Sequence, residues 1–140
     1  MEDGKLIRTF TRSLLVLRIT LGIFLFQWGI EKFVLPSNTP MIWGYFYGLT
    51  IPEWMAYGFG TVEILLAVCY IFGLFPAIAY ALGVIIHTIT VLVSWKALLN
   101  PWADSASHLF VASIPVLGAF VALYLLRAWD VPMLARRSIS

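Results

Sequence analysis

Three side chains combine ionisable chemistry with apolar surroundings: Arg18, Glu63 and His87. Each sits in a run of aliphatic and aromatic residues, where a charge is expensive and marks a functional-site hypothesis. With Arg12 as one membrane boundary and about 1.5 Å per helical residue, Arg18 falls roughly 9 Å inside. On the same rise, Glu63 falls roughly 15 Å before Gly73, and His87 roughly 16 Å after Pro76. An Arg, a Glu and a His from three helices are therefore expected at similar depth. Two roles fit them. Arg18 and Glu63 either form a buried ion pair that fixes helix register or, with His87, a ligand or proton site. His87 either bonds a backbone carbonyl or Thr90, or uses its near-neutral titration and ligating nitrogens.

The elements that would position them are membrane spans. A spanning helix needs roughly 20 mostly apolar residues. Four stretches qualify, at about 11–33, 52–73, 76–95 and 107–129. Gly73 is suited to end the second and Pro76 to begin the third, a tight hairpin. Pro115 predicts a kink in the fourth. The first connection holds Trp43, Tyr45, Phe46, Tyr47 and Trp54, the composition of an interfacial aromatic belt. It is expected to lie on the membrane surface, in part as a short helix. The fold class is all-α: an antiparallel four-transmembrane-helix bundle with an aromatic interfacial segment between helices one and two. The 140 residues are read as a single membrane domain.

Composition agrees. The chain is 61% hydrophobic and 11% charged, with mean hydropathy +0.93, too little polar surface to cover a soluble domain. The formal charge of +2 gives no footprint for nucleic acid. One cysteine, Cys69, excludes an internal disulfide and a CxxC pair. No zinc ligand set, nucleophilic triad or Walker loop is visible, and no metal site is expected. His87 and His108 differ in depth by roughly 10 Å, which does not suit paired haem ligation. His108 and Cys69 read as interface and packing residues.

Lys5, Arg8 and Arg12 precede helix one, and Arg127, Arg136 and Arg137 end helix four. The positive-inside rule then places both termini in the cytoplasm, and the membrane is read as the bacterial inner (plasma) membrane. On a helical period of about 3.6 residues, Arg18, Gly22, Leu25, Gly29 and Lys32 share a stripe whose glycines admit a close neighbour. Ala56, Phe59, Glu63, Ala67 and Tyr70 form another stripe, and Tyr80, Gly83, His87, Thr90 and Ser94 a third. Ala112, Pro115, Ala119 and Ala122 offer a small-residue face on helix four. Gln27 and Glu31 lie on the opposite side of helix one from the Arg18 stripe, near the outer interface. With Lys32 they are candidate contacts for another subunit.

The order Arg18, Gly22, Gly29, Lys32, in the pattern R-x3-G-x6-G-x2-K, resembles the opening of the DoxX family of small four-helix membrane proteins. "GTVEILLAVCYIFGLFPAIA", with Glu63 and the turn at Gly73, resembles that family's second helix, and His87 falls at its polar third-helix position. The resemblance covers about Leu17 to Trp95. Gln27 and Trp28 depart from it, since many members carry small residues or a His there. It implies a four-helix bundle. It also implies an association with redox assemblies, some members being quinone-linked small subunits of thiosulfate oxidation.

Three functions follow. The first is a membrane subunit of a redox-linked, quinone-linked complex, with a bound quinone or lipid at the Arg18–Glu63–His87 cluster. The second is a purely structural accessory subunit, or a homo-oligomer, in the bilayer. The third is a small proton-coupled transporter. No redox centre or catalytic motif is present in the chain, so any electron carrier would be a ligand or a partner.

Overall fold

The computed structural model describes residues 2–103 and 107–130. Arg136, Arg137 and part of the third connection, residues 104–106, lie outside the described residues. The described chain is helical, with no strand among its residues. The helices are α1 (Glu2–Val34), α2 (Asn38–Tyr47), α3 (Met55–Phe72), α4 (Pro76–Val93), α5 (Trp95–Leu99) and α6 (Ser113–Leu125), with 3-10 segments at His108–Ala112 and Arg127–Trp129. Four stretches are long and apolar enough to cross a membrane: Asp3–Val34, Met55–Phe72, Pro76–Val93 and His108–Leu125.

Two departures from the expected helix boundaries matter. First, α1 starts at Glu2, well before Thr11. Residues 3–9 are exposed, and packing begins at Phe10, which meets Trp129 edge to face at 6.4 Å. Second, the fourth span is two elements, a 3-10 segment running into α6 just before Pro115. Proline has no N–H and its ring collides with the carbonyl four residues back. Pro115 falls in the first turn of α6, where its missing N–H is tolerated, and the residues before it take the tighter 3-10 geometry.

The α3–α4 hairpin follows its sequence. Gly73 is left-handed at φ 70°. Leu74 N donates to Cys69 O at 2.8 Å and Gly73 N to Tyr70 O at 3.3 Å, the Schellman arrangement. Phe75 is also left-handed at φ 48°, and Pro76 opens α4.

Lipid tails are as apolar as leucine, so membrane helices associate through close packing and polar contacts. The closest pairing is antiparallel, α1 against α3. A Cβ at Gly29 would sit 3.1 Å from Ile64 N and 3.2 Å from Gly60 O, and one at Gly22 would sit 3.2 Å from Ala67 O. The backbones touch only because these positions lack side chains. Leu14, Leu21 and Leu25 of α1, Leu66, Ala67 and Tyr70 of α3, Ala79 and Tyr80 of α4, and Phe120 and Leu123 of α6 form the core. Helix six thus turns Phe120 and Leu123 inward. Ala112 and Pro115, expected on the bundle face, are exposed, with Ala119 and Ala122 half-buried. Bulky side chains fill the volume beside Gly83, where a Cβ would collide with the Tyr70 hydroxyl and lie 2.9 Å from Phe120.

Candidate functional site: two ion pairs at opposite ends of the bundle

The α1–α3 register decides which charges meet. Gly22 lies on Ala67 and Ile71, and Gly29 on Gly60 and Ile64. In an antiparallel pair this brings Lys32 level with Glu63. It also brings Arg18, one further turn from Gly22, level with the α3–α4 turn. That end of the bundle is here called the terminal end, and the end carrying α2 the loop end. Lys32 and Arg18 are fourteen positions apart, about 21 Å along the axis.

At the loop end, Lys32 Nζ donates to Glu63 Oε2 at 2.7 Å, and the two side chains are 14% and 17% exposed. Lys32 Nζ also donates to Trp28 O at 3.1 Å and lies 5.9 Å from the centre of the Trp28 ring. Beside this pair, Asn38 Nδ2 donates to Glu31 Oε1 at 2.8 Å, which ties the start of α2 to α1. The indole of Trp43 stacks on Tyr47 at 4.9 Å and on Phe59 at 5.1 Å. The aromatic segment is therefore pinned to α3. Burial in this stack pushes the Tyr47 phenol above its usual pKa, so it stays neutral.

At the terminal end, Arg18 Nη1 donates to both carboxylate oxygens of Asp130 at 3.0 Å. Tyr80 Oη donates to Asp130 Oδ2 at 2.5 Å, and Tyr70 Oη to the backbone oxygen of Tyr80 at 3.3 Å. The Arg18 and Asp130 side chains are 0% and 1% exposed. This pair is sealed beneath the leucines of α1 and the two tyrosines.

His87 belongs to neither pair. Its Nε2 lies 3.1 Å from Ser113 O. A carbonyl only accepts, so that nitrogen carries the proton. The ring packs edge to face on Phe24 at 5.5 Å and against Phe120 at 5.3 Å. It joins α4 to the first turn of α6, matching the backbone-carbonyl alternative left open by the sequence.

The expected Arg18–Glu63–His87 cluster is thus divided. Arg18 and Glu63 do not pair. The depth estimate measured Arg18 from Arg12, but α1 continues to Glu2, and Arg18 stands at the end of α3 rather than beside its middle. Lys32, expected at an outer contact surface, is folded onto Glu63 within the bundle. Gln27 is exposed on the outside of α1. Gly22, Gly29 and Gly83 each sit at a close helix contact. Sequence reasoning missed Asp130 and Tyr80. The available signal was an embedded arginine with a carboxylate directly after the last span, in "RAWD".

Chemically, the two ends differ in access. The loop-end pair offers an ammonium donor and a carboxylate that are both partly exposed. The terminal pair is closed to water, and Tyr80 donates to the same carboxylate. Among the described residues, no group of three or more His, Cys, Asp or Glu is placed to hold a metal ion.

Searches of curated proteins and of solved structures gave no match. The family model DoxX matches residues 13–96, more than half of the chain. That span takes in the whole clasp, from Arg18 through the paired glycines to Lys32 and Glu63 and on through α4. The chain belongs to the DoxX family of membrane proteins.

Proposed function

We propose that this protein is an integral membrane subunit of a redox-linked assembly, and that its loop-end Lys32–Glu63 pair receives the polar head of a lipid-soluble ligand, a quinone. The observation that carries this reading is the partial exposure of a short, intact ion pair, 14% and 17%, beside an aromatic surface. A quinone head needs a hydrogen-bond donor for its carbonyl oxygen and a nearby group that exchanges protons. Lys32 Nζ supplies the first and the Glu63 carboxylate the second. Trp28 provides an apolar face beside them. When bound, the quinone would supply the two-electron carrier that this chain's residues lack, with electrons passing to or from a partner subunit. Gln27, on the exposed side of α1, is a proposed contact for that partner. Arg18 and His87 are read as holding the bundle together.

The proposed membrane is the bacterial inner membrane, with both termini cytoplasmic, on the strength of Lys5, Arg8 and Arg12 at the terminal end. The transporter alternative gains no support from the geometry. Between the two ion pairs lie Leu21, Leu25, Leu66, Ala67 and Phe120, and the one histidine among them, His87, bonds the Ser113 carbonyl and neither pair. The structural-subunit alternative rests on Lys32 and Glu63 satisfying one another.

Purification in mild detergent, with partner identification and analysis of extracted lipids, tests the proposal. Wild-type protein should carry quinone above the membrane background and co-purify with a redox subunit. Glu63→Gln and Lys32→Gln should lose the quinone and the quinone-dependent turnover of the assembly. Wild-type protein with only background quinone would sink the proposal and leave the structural subunit.

A further inference from the structure

On the opposite side of the molecule from the Glu63 clasp, α1 and α6 do not close. A groove of about 350 Å³ runs between them, lined by Thr20, Leu21, Phe24, Pro115, Val116 and Ala119. Its walls are carbon. The one hydroxyl, on Thr20, is turned back onto Val16 O at 2.9 Å and Leu17 O at 3.0 Å. Such a groove places no polar demand on its occupant. A second depression continues from Thr20 along α1, lined among the described residues by Thr9, Arg12, Ser13, Val16 and Leu17. The character changes along this line. Arg12 is exposed, and among the described residues no ion pair holds it. Lys5 lies seven positions earlier on the same face, and no Asp or Glu occurs between Lys5 and Thr20. The Ser13 hydroxyl is spent on Thr9 O at 3.0 Å, so the guanidinium is the strong donor there.

We propose that this seam holds one anionic phospholipid, its phosphate on Arg12 and one acyl chain in the α1–α6 groove. The dimensions agree. Arg12 and Phe24 are twelve residues apart, about 18 Å, close to one leaflet of a hydrocarbon core about 30 Å thick. Depth agrees as well. Arg12 is six residues outward from Arg18, about 9 Å, and Arg18 is level with the α3–α4 turn. Its guanidinium therefore reaches the headgroup layer while the groove lies among the chains. An arginine fork matches phosphate oxygens, and an unopposed basic stripe favours a net negative headgroup over a zwitterionic one.

The test uses the full chain in detergent, titrated with phosphatidylglycerol or phosphatidylcholine and read by native mass spectrometry. One phosphatidylglycerol should be retained in preference to phosphatidylcholine. Arg12→Gln should weaken that retention roughly fivefold, the effect of one basic group at an anionic surface, and Arg12→Lys should restore part of it. Arg12 is exposed, so these variants should melt like wild type. Phosphatidylglycerol with a photoreactive acyl chain should label wild-type protein at Thr20, Phe24, Val116 or Ala119. Equal retention of the two lipids, or retention unchanged by Arg12→Gln, would overturn the headgroup site. Labelling spread evenly over all lipid-facing helices would overturn the groove.

Discussion

The two ends of the bundle solve the same problem, a charge in an apolar setting, in different ways. Arg18–Asp130 is sealed, with Nη1 shared between both carboxylate oxygens, and backed by Tyr80. Lys32–Glu63 is equally well formed but partly open. The difference follows from position along the α1–α3 clasp. Asp130 arrives after the last 3-10 turn and closes over Arg18. Glu63 instead sits mid-helix and meets Lys32 beneath the aromatic segment. A sealed pair cannot exchange protons or take a ligand without unfolding its surroundings. A partly open pair can. On the proposed function, bundle integrity belongs to one end and chemistry to the other.

Breaking the sealed end should have the largest effect. Asp130→Asn or Arg18→Leu leaves a buried charge without its counterpart, a loss of about 3–5 kcal/mol. Unfolding in graded denaturing detergent should show it, and the paired replacement Arg18→Met with Asp130→Leu should recover much of the loss. If Asp130→Asn unfolds like wild type, the sealed pair does not hold the bundle.

Gly29→Val is next. Its side chain would press on the backbone of Gly60 and Ile64 and push α1 from α3, costing about 1–3 kcal/mol. It should also part Lys32 from Glu63 and so reduce ligand retention. Normal stability together with normal retention would show that the clasp tolerates separation.

At the open end, Glu63→Gln should cost only about 1 kcal/mol, because the isosteric amide oxygen still accepts from Lys32 and loses only the charge assistance. Its effect should appear in bound quinone instead. A stability loss equal to that of Asp130→Asn would erase the contrast between the ends.

The smallest effect concerns the hairpin. Phe75 is left-handed at φ 48° and 71% exposed, a conformation that costs a residue with a Cβ about 1 kcal/mol. Phe75→Gly should raise the melting temperature slightly, and a drop would mean that the aromatic ring anchors the turn more than its backbone strains it.

Much of the clasp was legible in the sequence. The spacing of Arg18, Gly22, Gly29 and Lys32 puts them on one helical stripe, and the glycines announce a close neighbour. The Gly73–Pro76 hairpin could be read residue by residue. The partners of the charges could not. Depth along a membrane helix depends on where its boundary is drawn, and α1 runs past Arg12 to Glu2. A shift of that size moved Arg18 from the middle of α3 to its end and exchanged Glu63 for Asp130, 112 residues away. The inward face of α6 was also hidden. Small residues suggested contact, but the cleft beside Gly83 needed Phe120. Which face turns inward is a property of the neighbours, and no single helix records it.

The most direct measurement is the quinone-to-protein ratio of folded Glu63→Gln protein beside wild type, both purified in the same mild detergent. The two-ended account predicts a fall to the membrane background with the melting temperature almost unchanged. An unchanged ratio in a folded Glu63→Gln protein would contradict it.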